Sequence, residues 1–169
     1  MSENEPTPAT PSWTDLALAW GVHVFTASGA VVALVSALAA ARGDFDVAVL
    51  WMLFALFIDS VDGTLARRFR VKELIPSFDG RTLDDLVDYL NYVIVPALFL
   101  VWADCVPHWG WAALPVLASA YGFSQTDAKT EDHFFLGFPS SWNVVAIYAW
   151  ALDVTHPVMI AWLIGLSVA

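Results

Sequence analysis

The sequence predicts an all-α integral membrane protein with about six crossing helices, and three observations carry that expectation. The chain is 59% hydrophobic and only 14% charged, more apolar surface than one soluble core of 169 residues can hide. Its apolar residues gather into stretches at 18–41, 47–66, 86–103, 109–124, 139–152 and 156–169, most of them near the ~20 residues that take a helix across a ~30 Å hydrocarbon layer. Nine tryptophans complete the pattern, since tryptophan is favoured at headgroup depth.

Residues 1–12, polar with three prolines between positions 6 and 11, read as a disordered leader, and 13–169 as a single transmembrane catalytic domain. Trp13 to Trp20 reads as a short interfacial lead-in. The first stretch is expected to stay on the mature protein, because the acidic segment before it lacks the basic start of a signal peptide. The second and third stretches are joined by a connection holding Arg67, Arg68, Arg70, Lys72 and Arg81, five of the seven basic residues. By the positive-inside rule both ends of that connection are cytoplasmic, Lys129 falls on the next cytoplasmic loop, and Arg42 sits outside beside Asp44 and Asp46. The last stretch, His156 to Ala169, is expected to be the start of a longer, truncated helix. Cys105 is the single cysteine, which rules out an internal disulfide or a multi-cysteine metal site.

Chemistry concentrates in DSVDGTLARRFRVKELIPSFDGRTLDDLVDYL, residues 59–90. Asp59 and Asp62 are spaced i,i+3 and Asp84 and Asp88 i,i+4, so each pair shares one helix face, and antiparallel helices would turn the pairs toward each other. Four bare carboxylates at the edge of a low-dielectric layer repel one another and lose hydration. A divalent cation resolves this. An all-oxygen donor set favours Mg²⁺ or Mn²⁺, and four carboxylates suffice for two ions that share ligands, a centre suited to displacement at phosphorus. The net charge of -10 is absorbed in part by that cluster, and no nucleic-acid partner is expected. Gly63 and Gly80 leave room for a ligand against the backbone, Ala66 keeps the same face open, and Arg67 offers a fixed cation for phosphate. Asp79 and Asp85 read as surface acids, Asp85 pointing about 100° from Asp84.

These residues resemble the signature of the CDP-alcohol phosphotransferases, DxxDGxxARx(n)GxxxDxxxD, at every fixed position: Asp59, Asp62, Gly63, Ala66, Arg67, Gly80, Asp84 and Asp88. The resemblance implies that Asp59, Asp62, Asp84 and Asp88 hold metal and that Asp88 also acts as general base. It implies further that Asp59, Gly63, Ala66, Arg67 and Gly80 contact the CDP moiety. Twelve residues, Arg68 to Asp79, separate the arginine from the next glycine. That spacing, with HVFTASGA (23–30), VKELIPSFDG (71–80) and FLGFPSSWN (135–143), is similar to the bacterial phosphatidylcholine synthases. The subfamily implies CDP-diacylglycerol and choline as substrates, release of CMP, a homodimer, and residence in the bacterial inner membrane among its lipids.

Choline is a quaternary ammonium and would need aromatic faces, with a carboxylate at some distance. Tyr89, Tyr92, Tyr121 and Trp142 are the candidates, with Asp127 or Glu131 nearby, although an aromatic belt at the interface accounts for such residues equally. Arg68 and Arg81 are candidates for lipid-substrate contact, or serve topology and anionic headgroups. His23 and Thr26 either face a substrate or are an interfacial histidine and a helix-packing threonine. Two other functions remain open: transfer to serine, inositol or glycerol 3-phosphate, and an ion-coupled transporter whose aspartates bind and release metal.

Overall fold

A computed structural model describes residues 12–125 and 141–168. The polar leader up to residue 11, Asp127, Lys129, Glu131 and most of the 135–143 segment lie outside the described residues. Among the described residues each of the six apolar stretches is helical, and no strand occurs.

Helix α1 (Trp13–Ala41) starts at a capping box: the Ser12 hydroxyl accepts from the Asp15 amide and the Asp15 carboxylate accepts from the Ser12 amide. Nothing interrupts the chain after this cap, so the tryptophan lead-in forms the first turns of one 29-residue helix. At its far end Gly43 adopts φ +82°, a left-handed conformation that costs glycine nothing. There the Gly43 and Asp44 amides bond back to Ala40 and Ala39. Helix α2 (Phe45–Arg68) returns alongside α1. Buried Ser36 clips the pair by donating to the Ala48 carbonyl at 2.9 Å.

After α2 the chain passes a left-handed Arg70 (φ 50°) into the short α3 (Val71–Leu74). Val71 and Ile75 are buried against Ala19 and Val22 of α1, which folds the basic connection back over the end of the α1–α2 pair. Helix α4 (Gly80–Tyr89) begins at Asp79, whose carboxylate accepts from the Arg81 and Thr82 amides and from the Thr82 hydroxyl. Those bonds, the Thr82 hydroxyl first, hold the Asp79 carboxyl below the ordinary carboxylate value. Asp79 thus serves as a cap, and Asp85 faces Arg81 at 4.0 Å.

Helix α4 runs through a π-helical turn, Leu90–Ile94, into α5 (Val95–Trp102). Pro96 offers no N–H to the carbonyl four residues back and its ring crowds that turn, which explains the widened turn just before it. Among the described residues, the whole rod, Gly80–Trp102, and α1 are the two helices long and apolar enough to cross a membrane by themselves. Buried Asn91, in the π turn, donates its amide to the carbonyls of Gly29 and Val87, each at 3.0 Å, tying the rod to α1. The crossing is so close that a Cβ at position 29 would meet Val87 Cγ1 at 2.6 Å. Gly29→Ala is therefore expected to destabilise the fold by about 1–3 kcal/mol through overpacking. The thermal unfolding of detergent-solubilised protein would show it, with partial recovery in the Gly29→Ala, Val87→Ala double variant.

Helices α6 (Trp109–Ser124) and α7 (Trp142–Ala151) pack on the second half of the rod, and α8 (His156–Val168) packs on α6. Their shared core holds Phe99, Leu100, Trp142, Met159 and Leu163, all fully buried, with Met52 of α2. The outer surface is apolar as well: Val24, Val31, Leu34, Leu50, Phe57, Leu86, Leu117 and Ile164 are exposed. Helices with apolar outer faces and satisfied backbones suit lipid as solvent. Cys105, in the α5–α6 connection, is buried, and that burial, aided by Asp104 and Asp153, pushes its thiol up to about 11.

Candidate metal centre

Helices α2 and α4 each bring two of the spaced aspartates to the α1 side of the bundle. Asp59, Asp84 and Asp88 can place one carboxylate oxygen each within 4.8 Å of the others, all three half-buried. Such a set of hard, anionic oxygens has the composition of a divalent-cation site and lacks the nitrogen or sulfur ligands that softer metals prefer. Asp62, buried one turn along α2, is not among the three mutually close residues. Its carboxylate meets the Thr26 hydroxyl of α1 and the Gly63 amide. It stands beside the cluster, in electrostatic contact with Asp59 and Asp88.

A cleft of about 810 Å³ opens next to the cluster between α1, the end of α2, the folded-back connection and the start of α4. Asp62, Gly63, Ala66, Arg67, Gly80 and Asp84 all line it. Asp59 and Asp88 lie one turn further along their helices, away from the connecting loop, so the acids run from the cleft wall into the bundle. Gly63 faces open space: a Cβ there would find only the Arg67 guanidinium, at 3.6 Å. Arg67 is held loosely by Thr64, at 3.3 Å, and remains exposed toward the cleft. The basic residues Arg70, Lys72 and Arg81 line the same wall, Arg70 in an exposed ion pair with Glu73. Arg68 is exposed at the end of α2 and is not part of the lining.

The four aromatic candidates part company. Tyr92 is buried and its hydroxyl donates to Asp59 Oδ2 at 2.9 Å, fixing a member of the acidic cluster. Tyr89 donates to the Val116 carbonyl at 3.0 Å and packs edge-on against Phe123, joining α4 to α6. Trp142 is wholly buried and donates to the Ser119 hydroxyl at 2.9 Å. Tyr121 is exposed on the outer face of α6. Tyr92 thus touches the acids, while Tyr89 and Trp142 tie their helices to α6. The signal for that role lies in the sequence: Tyr92 follows Asp88 by four residues, as Asp88 follows Asp84. Outer-shell partners of metal ligands typically change affinity or activity by about 10–100-fold when removed. Tyr92→Phe is thus expected to weaken Mn²⁺ binding by a factor in that range while leaving the helical content intact, as calorimetric titration and circular dichroism would show.

His23, one turn before Thr26 on α1, also lines the cleft. The spacing of the acids gave no hint that α1 contributes to this wall, although the polar His23 and Thr26 on a mostly apolar helix were a mark of it.

Comparison with known proteins agrees with this arrangement. The family model described as CDP-alcohol phosphatidyltransferase matches residues 18–169. Over 144 residues the chain is 44% identical to a phosphatidylcholine synthase of Pseudomonas aeruginosa, covering 83% of this chain and 60% of that protein. It is 44% identical over 136 residues to the phosphatidylcholine synthase of Borreliella burgdorferi, covering 79% of this chain and 58% of that protein. It is 45% identical over 141 residues to that of Legionella pneumophila, covering 80% and 54%. The chain thus spans less than two thirds of the length of these relatives. No solved structure matches it. With the aspartates, glycines and arginine of the signature gathered around one cleft and the family model matched over nearly the whole chain, the protein belongs to the CDP-alcohol phosphatidyltransferase family.

Proposed function

We propose that the full-length protein is a phosphatidylcholine synthase, which transfers the phosphatidyl group of CDP-diacylglycerol to choline and releases CMP. The observation that carries the chemistry is the Asp59, Asp84 and Asp88 cluster opening onto a cleft lined by Gly63, Ala66 and Arg67. The choice of choline is supported by the names of the similar proteins and by the twelve-residue spacing before Gly80.

Asp59, Asp62, Asp84 and Asp88 would hold Mn²⁺ or Mg²⁺, two ions sharing ligands in this reading. Bound there, the cation neutralises the pyrophosphate oxygens and favours departure of the phosphate leaving group. The residues do the rest. Arg67 pairs with a phosphate oxygen, and Gly63 and Ala66 let the nucleotide approach the backbone. Tyr92 holds Asp59 in place. Asp88 accepts the hydroxyl proton of choline as that oxygen forms its bond to the phosphorus bearing diacylglycerol, and the bond from this phosphorus to the bridging oxygen breaks. The electron pair leaves with CMP. Arg81, on the cleft wall, is a further contact for the lipid substrate in this reading, and Arg68 and Tyr121, outside the cleft lining, are left to the surrounding lipid.

By the positive-inside rule the basic connection supports a cleft at the cytoplasmic side of the inner membrane. There it opens toward CDP-diacylglycerol in the inner leaflet, and the protein works as a homodimer. An acceptor screen tests the assignment: full-length protein in detergent with Mn²⁺ and CDP-diacylglycerol should release CMP with choline and not with serine, inositol or glycerol 3-phosphate. Release with one of the others would replace choline as acceptor. Metal flux in proteoliposomes without any CMP release would favour the transporter reading instead.

A further inference from the structure

His23 presents a feature that the metal chemistry leaves unused. Its side chain is only 7% exposed, and its Nε2 has no hydrogen-bond partner among the described residues. A buried polar nitrogen left unpaired is costly, so a ring kept in this state is poised for something that completes it. The ring is also firmly placed. Phe78 lies against it with centroids 4.4 Å apart and planes at 47°, and Trp20 meets it edge-on at 5.7 Å. Gly80 closes the third side, since a Cβ there would stand 2.8 Å from His23 Cε1. Glycine at position 80 therefore makes room for the imidazole as well as for any ligand.

His23 and Phe78 both line the cleft, together with Gly63, Ala66 and Arg67. Within that cleft the phosphates of a nucleotide are drawn to Arg67 and to the cation held by the aspartates, one turn and more beyond Gly80. The same cleft already holds Arg70, Lys72 and Arg81, so what the His23 end adds is not another cation. It offers an aromatic edge and a single nitrogen that donates or accepts according to tautomer. A planar base and a ribose carry the matching groups: a π face, an exocyclic amine and hydroxyls.

We propose that His23 is a nucleotide-positioning residue, whose imidazole hydrogen-bonds the nucleoside half of the CDP donor while Phe78 and Trp20 hold the ring in place. The proposal rests on the phosphatidyl-transfer reading above. It makes the first helix part of donor recognition, with Gly80 as the spacer that lets α1 and α4 share the nucleoside.

The test uses full-length protein in detergent with Mn²⁺ and compares two titrations, CMP and the metal itself, in the wild type, His23→Phe and His23→Leu. Two variants are used so that failure of one to fold leaves the other. The expected result is an affinity for CMP about tenfold weaker, the worth of one good hydrogen bond, with Mn²⁺ affinity within about twofold of the wild type. In turnover the same variants should raise KM for CDP-diacylglycerol more than they lower kcat. Unchanged CMP affinity would overturn the proposal, and so would a parallel loss of CMP and Mn²⁺ binding, which marks a purely structural role. Wild-type protein that binds Mn²⁺ but not CMP would sink the nucleotide reading as a whole, a result distinct from failure of His23 alone.

Discussion

Asp88→Asn is expected to abolish choline-dependent CMP release, by at least about 10³-fold, near the upper part of what general-base catalysis contributes. Asparagine keeps the size and polarity of the side chain but cannot take the acceptor's proton, and it removes one anion from the cation site. The fold should survive. Asp88 stands within electrostatic reach of Asp59, Asp84, Asp62 and Asp85, so loss of its charge relieves repulsion in the metal-free bundle rather than adding any. Gel filtration and thermal unfolding in detergent should therefore match the wild type while turnover disappears. Near-wild-type activity would remove Asp88 from the role of base.

Chelation is expected to have an effect as large. With EDTA in excess, CMP release should fall to background, and added Mn²⁺ or Mg²⁺ should restore it. The physical reason is the same set of like charges: half-buried carboxylates whose oxygens approach within 4.8 Å repel one another and the donor's pyrophosphate alike until a cation neutralises them. Activity that persists after exhaustive chelation would leave the cluster without its proposed purpose.

The parts of this molecule written in local spacing were legible in its sequence. The six apolar stretches became helices, and the i,i+3 and i,i+4 aspartates fell on facing sides of α2 and α4, because those relations depend only on helical geometry. What required knowing which helices touch was not legible. Asp62 stands beside the cluster and not within it, next to Thr26 of a helix more than thirty positions earlier, a neighbour that spacing along α2 does not announce. The roles of Tyr89 and Trp142 as ties to Val116 and Ser119 depend on how α6 packs, which an aromatic count cannot reveal. The helical start at Gly80, ahead of the apolar stretch beginning at 86, follows from the Asp79 cap, a polar signal that hydropathy passes over. The π turn, too, needs Pro96 to be seen in a helix that continues on both sides of it.

The proposed chemistry depends on a cation held by Asp59, Asp84 and Asp88, and the most direct measurement is Mn²⁺ binding by the full-length protein, with and without those three carboxylates. Calorimetric titration of the wild type should show saturable binding, and the Asp59→Asn, Asp84→Asn, Asp88→Asn triple variant, folded by circular dichroism, should show none. Equal Mn²⁺ binding in the two proteins would place the metal elsewhere and contradict the site described above.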